Sequence, residues 1–192
     1  MSIHPHIASR KSTRAFDNRQ VSNEVLATLF EAVRWAPSAF NEQPWRFIIA
    51  QNGEQGFDLL CDCLFEGNRN WAKNGAFLFL VVAKTTVSHN NQPNRHALHD
   101  VGLAIGNLNF QATELGLYLH QMGGFDLKKA IDTFNIPEGF EPVTIIVGGY
   151  PGNVDLLDEQ LKMREMAPRA RKLPSEFVFS GSFGNTHPLF NS

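Results

Sequence analysis

Apolar residues recur along this chain in two rhythms, one helical and one extended. Val25, Leu26, Leu29, Phe30 and Val33 fall three and four residues apart, on one side of a helix that Ser22 or Asn23 can cap and Pro37 stops. Trp45 to Ala50 reads as a buried strand closed by an Asn52-Gly53 turn, Glu54 to Phe65 as a helix, and Gly67 to Gly75 as a polar loop carrying Trp71. Ala76-Phe-Leu-Phe-Leu-Val-Val-Ala83 has no polar residue, so it predicts a central strand covered on both faces. Thr85 to Asn94 is a polar loop. From His96 to about His120 no proline interrupts, and Leu98, Val101, Leu103, Ile105, Leu108, Phe110, Leu115 and Leu117 point to more than one side. That pattern predicts one long helix buried all round, which in a chain this small calls for a second subunit. After Met122-Gly-Gly-Phe125 come a helix from Asp126 to Phe134, a strand from Pro142 to Val147 ended by Gly148-Gly149, and a helix capped by Asp155 that runs to Met166.

With 192 residues and no linker or repeat, the chain reads as a single domain spanning 1–192. A net charge of -2 provides no broad basic field, which argues against nucleic acid and anionic membrane as partners. No run approaches the roughly 18 apolar residues of a membrane span, and Met1-Ser-Ile-His-Pro-His lacks the apolar core of a signal peptide. Cys61 and Cys63 stand too close for an ordinary bridge and outside the C-x-x-C spacing, so they read as reduced thiols of a cytoplasmic protein.

The stretch Ala36-Pro-Ser-Ala-Phe-Asn-Glu-Gln-Pro-Trp45 concentrates hydroxyl, amide and aromatic groups between a helix and a strand. It is either a rigid ligand loop presenting Ser38, Asn41 and Gln43 or a connection whose polar residues cap its ends. Arg10, Lys11 and Arg14 with Ser12 and Thr13 offer the chemistry a phosphate asks for, although three cations alone equally describe a solvated turn. A second basic cluster, Arg169 to Lys172, lies near the other end. His96, His99 and Asp100 share a helix face, a pattern more often structural than metal-binding. Neither the G-x-G-x-x-G fingerprint, nor a P-loop, nor a nucleophile elbow is present. Two cationic clusters, an amide-rich loop and a glycine turn are the parts a flavin mononucleotide needs: charge for its phosphate, amides for its pyrimidine edge, and close backbone at N5.

Taken in order, Arg10-Lys-Ser-Thr-Arg14-Ala-Phe16, Ala36 to Trp45, the Asp100 to Gly116 helix with Asn107, Met122-Gly-Gly124, Gly149-Tyr-Pro151 and Arg169-Ala-Arg171-Lys-Leu173 resemble the FMN-dependent nitroreductase family over nearly the whole chain. The resemblance implies an α+β, three-layer fold, a central mostly antiparallel sheet flanked by helices, and an intertwined homodimer with FMN at the subunit interface. It places Arg10, Lys11, Ser12, Arg14, Arg169 and Arg171 at the phosphate and ribityl end, with Lys11 standing where many relatives carry arginine or histidine. Pro37, Ser38 and Asn41 would reach the flavin from the other subunit, and Gln121, Met122, Gly123 and Gly124 would lie along its N5 edge. Phe40, Trp71 and Phe125 are expected at the substrate pocket or in the core. The implied activity is hydride transfer from NADH or NADPH through FMN to a small oxidant such as a nitroaromatic or quinone, with no protein acid or base nominated. A flavin-binding protein without turnover, or a dehalogenase or flavin-modifying enzyme on the same fold, is the alternative.

Overall fold

The computed structural model describes residues 3–190. Its centre is a four-stranded sheet in the order β1-β2-β4-β3, built from β1 (Trp45–Gln51), β2 (Phe77–Lys84), β3 (Tyr118–Met122) and β4 (Phe140–Gly149), with every neighbouring pair antiparallel. Phe77 to Ala83 of β2 are all buried, because alternate side chains enter two different cores. Phe77, Phe79 and Val81 face Leu29 and Val33 of α2 (Asn23–Arg34) and Val101, Ala104 and Leu108 of α5 (Ala97–Glu114). On the other face, Leu78, Leu80 and Val82 meet Phe57 and Leu60 of α3 (Gln55–Cys63), Trp71 of α4 (Glu66–Ala72) and Ala130 of α6 (Leu127–Phe134). The fold is therefore α+β in three layers. Helices α1 (Pro5–Ser9) and α7 (Glu159–Met166) complete it near the two ends of the described chain.

Three expectations are corrected. The long helix stops at Glu114: Gly116 takes φ +72°, Leu117 N–H bonds back to Ala112 O at 2.8 Å, and Tyr118–Met122 becomes an edge strand. The apolar residues Leu115 and Leu117 continue the helical count, which hides the turn. Within the single chain α5 buries one side, and Leu98, Leu103 and Phe110 on its outer face stand open where the sequence calls for a second subunit. Gly67 to Gly75 is not a loop throughout; its first part is α4, anchored by Trp71 in the core. Finally, the cap of α7 is Asp158, whose carboxylate accepts the Leu161 N–H at 2.8 Å, while Asp155 sits in a preceding 3-10 turn.

Candidate functional site

The segment Arg10–Arg14, which follows α1, is held in place by a residue far along the chain. Glu165 of α7 is buried, and its Oε1 accepts from Thr13 Oγ1 at 2.7 Å and pairs with Lys11 Nζ at 2.9 Å, while Oε2 accepts the Arg14 N–H at 3.0 Å. Burial pushes this carboxyl up, but those three donors outweigh it and hold the group below the ordinary carboxylate range. Lys11, itself partly exposed, is thus paired with a buried carboxylate. The backbone carbonyls of Arg10 and Ala8 accept from Arg169 at 2.6 and 2.8 Å, which ties the tail to the first helix.

Two concavities meet at this segment, and Arg10 and Ser12 line both. The larger, about 570 Å³, runs along α5 past Gly106, Asn109 and Phe110 to Gln121 of β3. The smaller, about 230 Å³, is ringed by Arg14, Arg164, Arg169 and Arg171, with His120 and Glu165 in its wall. Arg10 donates to Ser12 Oγ at 3.1 Å and faces no carboxylate there. Partial burial and then the neighbouring Arg171 and Arg169 charges lower its pKa, the sign of cations gathered where an anion would relieve them. In the larger cavity Asn109 is 8% exposed; its Nδ2 bonds Ile105 O at 2.8 Å and its Oδ1 has no partner. A buried acceptor left open in a cavity wall is a place for a ligand donor. A wider cleft of about 660 Å³, lined by Phe16, Asn52 and Asn74, shares only Arg14 with the predicted set.

Arg10, Ser12, Arg14, Arg169, Arg171 and Gln121 are therefore brought together, although 159 residues separate Arg10 from Arg169. Pro37, Ser38 and Asn41 are not: within one chain their loop borders a separate hollow beside Trp35 and Gln43. That loop is rigidly made. Asp100, 2% exposed on α5, accepts the Ala39 N–H at 2.9 Å through Oδ2, and Ser38 Oγ accepts the Gln43 N–H at 3.0 Å. Phe40, Asn41 and Gln43 all take positive φ, which side chains adopt at a cost, and Phe40 stands 93% exposed. His99 Nδ1 meets the other oxygen of Asp100 at 2.9 Å, and no metal-ligand cluster exists among the described residues.

Two predicted residues serve the core. Trp71 is 1% exposed and donates to Gly67 O at 3.0 Å, which places it in the core of the single chain. Met122 keeps its side chain buried and its carbonyl on Thr144 Oγ1 at 3.0 Å. Phe125 is half-buried against the second core, Gly124 O receives Asn68 Nδ2 at 3.1 Å, and Gly123 is open to solvent. Sequence reasoning missed Glu165, His120, Asp100 and Asn109 as site-building residues. For the last two a signal existed: they are the polar members of the stripe Ala97, Asp100, Val101, Ala104, Ile105, Leu108, Asn109, Ala112 that α5 buries.

Residues 7–64 and 64–150 match the model of the Nitroreductase family. The chain belongs to the nitroreductase family. A solved oxidoreductase containing FMN is 34% identical and superposes with a TM-score of 0.91, covering 97% of this chain and 95% of that one. A protein of Methanothermobacter thermautotrophicus, provisionally named NADH dehydrogenase/NAD(P)H nitroreductase, is 27% identical over 168 residues, 82% of this chain and 84% of its own length. A Desulfovibrio desulfuricans protein solved in complex with FMN shares the fold at 22% identity, with a TM-score of 0.71 over 95% of this nitroreductase-family chain and 99% of its own.

Proposed function

We propose that this nitroreductase-family member is an FMN-dependent oxidoreductase that passes reducing equivalents from NADH or NADPH to a small oxidant such as a nitroaromatic or quinone. The observation that carries the reading is the convergence of Arg10, Arg169 and Arg171 on a hollow next to a cavity of about 570 Å³. The residues fit FMN. Arg10, Ser12, Arg169 and Arg171 would bind the phosphate, the open Asn109 Oδ1 would accept a hydrogen bond from the ligand, and Phe110 would cover an apolar face. FMN, when bound, supplies the hydride chemistry. The chain's own part is to orient that group, exclude water with α5, and keep positive charge near it.

The reading includes a homodimer. The exposed Leu98, Leu103 and Phe110 lie on the same helix that borders the cavity, and the Pro37–Asn41 loop, remote from Arg10 in its own chain, would meet the ligand of a second copy. Among the described residues no helix is long and apolar enough to cross a membrane, and the two cysteines are free and buried, which suits the reducing cytoplasm. The test is direct. Purified protein should be yellow and should bleach with NADH or NADPH under anaerobic conditions, then recover on addition of a quinone. A colourless protein that gains no thermal stability from FMN would refute flavin binding, and a yellow protein that neither nicotinamide bleaches would leave a flavin-binding protein without turnover.

A further inference from the structure

The smaller cavity presents mostly donors. Its charged wall comes from three places: Arg10, Lys11 and Arg14 on the N-terminal segment, Arg164 and Glu165 on α7, and Arg169 and Arg171 on the tail. The Glu165 oxygens are taken by Thr13, Lys11 and the Arg14 N–H, and the Arg10 carbonyl by Arg169. His120 differs from all of these. Its Nδ1 lies 2.9 Å from Thr13 O, and a carbonyl can only accept, so Nδ1 carries the hydrogen. Nε2 of the neutral ring is then a lone-pair acceptor, and no hydrogen bond occupies it among the described residues. The ring is fixed by packing, its centroid 4.6 Å from that of Trp71, whose own N–H is committed to Gly67 O. Burial, together with the Arg14 and Arg10 charges, lowers the pKa of the imidazole and so favours its neutral form, against the opposing pull of Thr13 O and Glu165.

A bare anion has no use for this group. A dianionic phosphate meets guanidinium donors well but offers no hydrogen to an imidazole acceptor. A hydroxyl a few bonds from the phosphate does. We infer that His120 Nε2 accepts a hydrogen bond from a hydroxyl of a phosphate-bearing ligand, so that the cationic hollow selects polyol phosphates over hydroxyl-free anions. The inference rests on the flavin reading above, in which the hydroxyls belong to the ribityl chain of FMN.

The experiment compares two ligands on flavin-free protein by fluorescence quenching: FMN, and an isoalloxazine whose chain is a hydroxyl-free pentyl phosphate. Wild type should bind FMN about tenfold more tightly than the analogue, the worth of one well-made neutral hydrogen bond. His120→Phe, which keeps the ring on Trp71 but removes the acceptor, should bind the two within twofold, and His120→Gln should restore part of the preference. A preference that survives intact in His120→Phe would overturn the inference while leaving flavin binding in place. Failure of wild type to bind either flavin would overturn both. Nitrogen-15 spectra of wild type provide a check that needs no variant. The Nε2 resonance should shift with FMN and stay unprotonated, whereas an identical spectrum with both ligands, or protonation of Nε2 on binding, would defeat the proposal.

Discussion

Lys11 Nζ reaches both the Oε1 and the backbone carbonyl of Glu165, at 2.9 and 2.8 Å, across 154 residues of sequence. This contact decides the charge of the site. It consumes one of the three cations of the Arg10–Arg14 segment that the resemblance sends to the phosphate end, and leaves Arg10 beside the tail arginines without a carboxylate partner of its own.

Glu165→Gln should therefore cost stability and disturb the site together. Its carboxylate accepts three hydrogen bonds, two of them from uncharged donors inside the fold, and a loss of about 2 kcal/mol is expected from denaturant titration at neutral pH. The folded carboxyl is held below its ordinary value of 4.5, so its contribution is fully present above that pH and fades as pH falls through the lowered value. The gap between variant and wild type should shrink in acid.

Arg10→Ala or Arg171→Ala should weaken FMN binding by about tenfold to a hundredfold, the range for a charge-assisted hydrogen bond. Lys84→Ala should leave it unchanged, because that ammonium bonds Ser88 at 2.8 Å and lines neither cavity. Titration calorimetry of the three proteins checks this, and equal affinities would mean that the phosphate sits elsewhere.

Asp100→Leu should loosen the Ser38–Gln43 loop, since the Ala39 N–H loses its acceptor and three residues with positive φ lose a restraint. Asp100→Asn retains a carbonyl oxygen in the same place and should behave closer to wild type. Hydrogen exchange at Ala39 is the readout, with protection expected to fall sharply in the leucine variant alone.

Trp71→Ala should destabilise the protein by about 3–5 kcal/mol, as a large aromatic removed from a packed interior does. If Trp71 were a pocket wall instead, the same change would alter substrate KM and leave the melting temperature near that of wild type.

Much of this fold could be read from the chain because Phe77–Ala83 is short, wholly apolar and rich in aromatic and β-branched residues, which favours a strand, and Leu26, Leu29 and Val33 keep a helical beat. Strand β3 could not, because Leu117 and Leu119 fit a helix as well as a strand, and only the left-handed Gly116 turns the chain. The arginine clusters were visible as clusters; their meeting came from the resemblance and from no local pattern, because it depends on α7 and Glu165. Trp71 illustrates the opposite error: neighbouring Asn, Arg and Lys gave its segment a polar look, whereas a single large ring entering the core was enough to make Glu66–Ala72 a helix. No local pattern separates a buried carboxylate partner such as Glu165 from an ordinary surface acid, since burial is a property of what folds over it.

Order of synthesis gives the Lys11–Glu165 contact one more meaning. A growing polypeptide completes its last strand at Gly149, while Glu165 and the tail guanidinium groups are still inside the ribosome. All four strands are available to condense before anything can clasp the basic leader to the finished body. A chain stopped in that interval would contain all four strands yet lack Arg164, Arg169 and Arg171, three of the guanidinium groups that ring the smaller hollow.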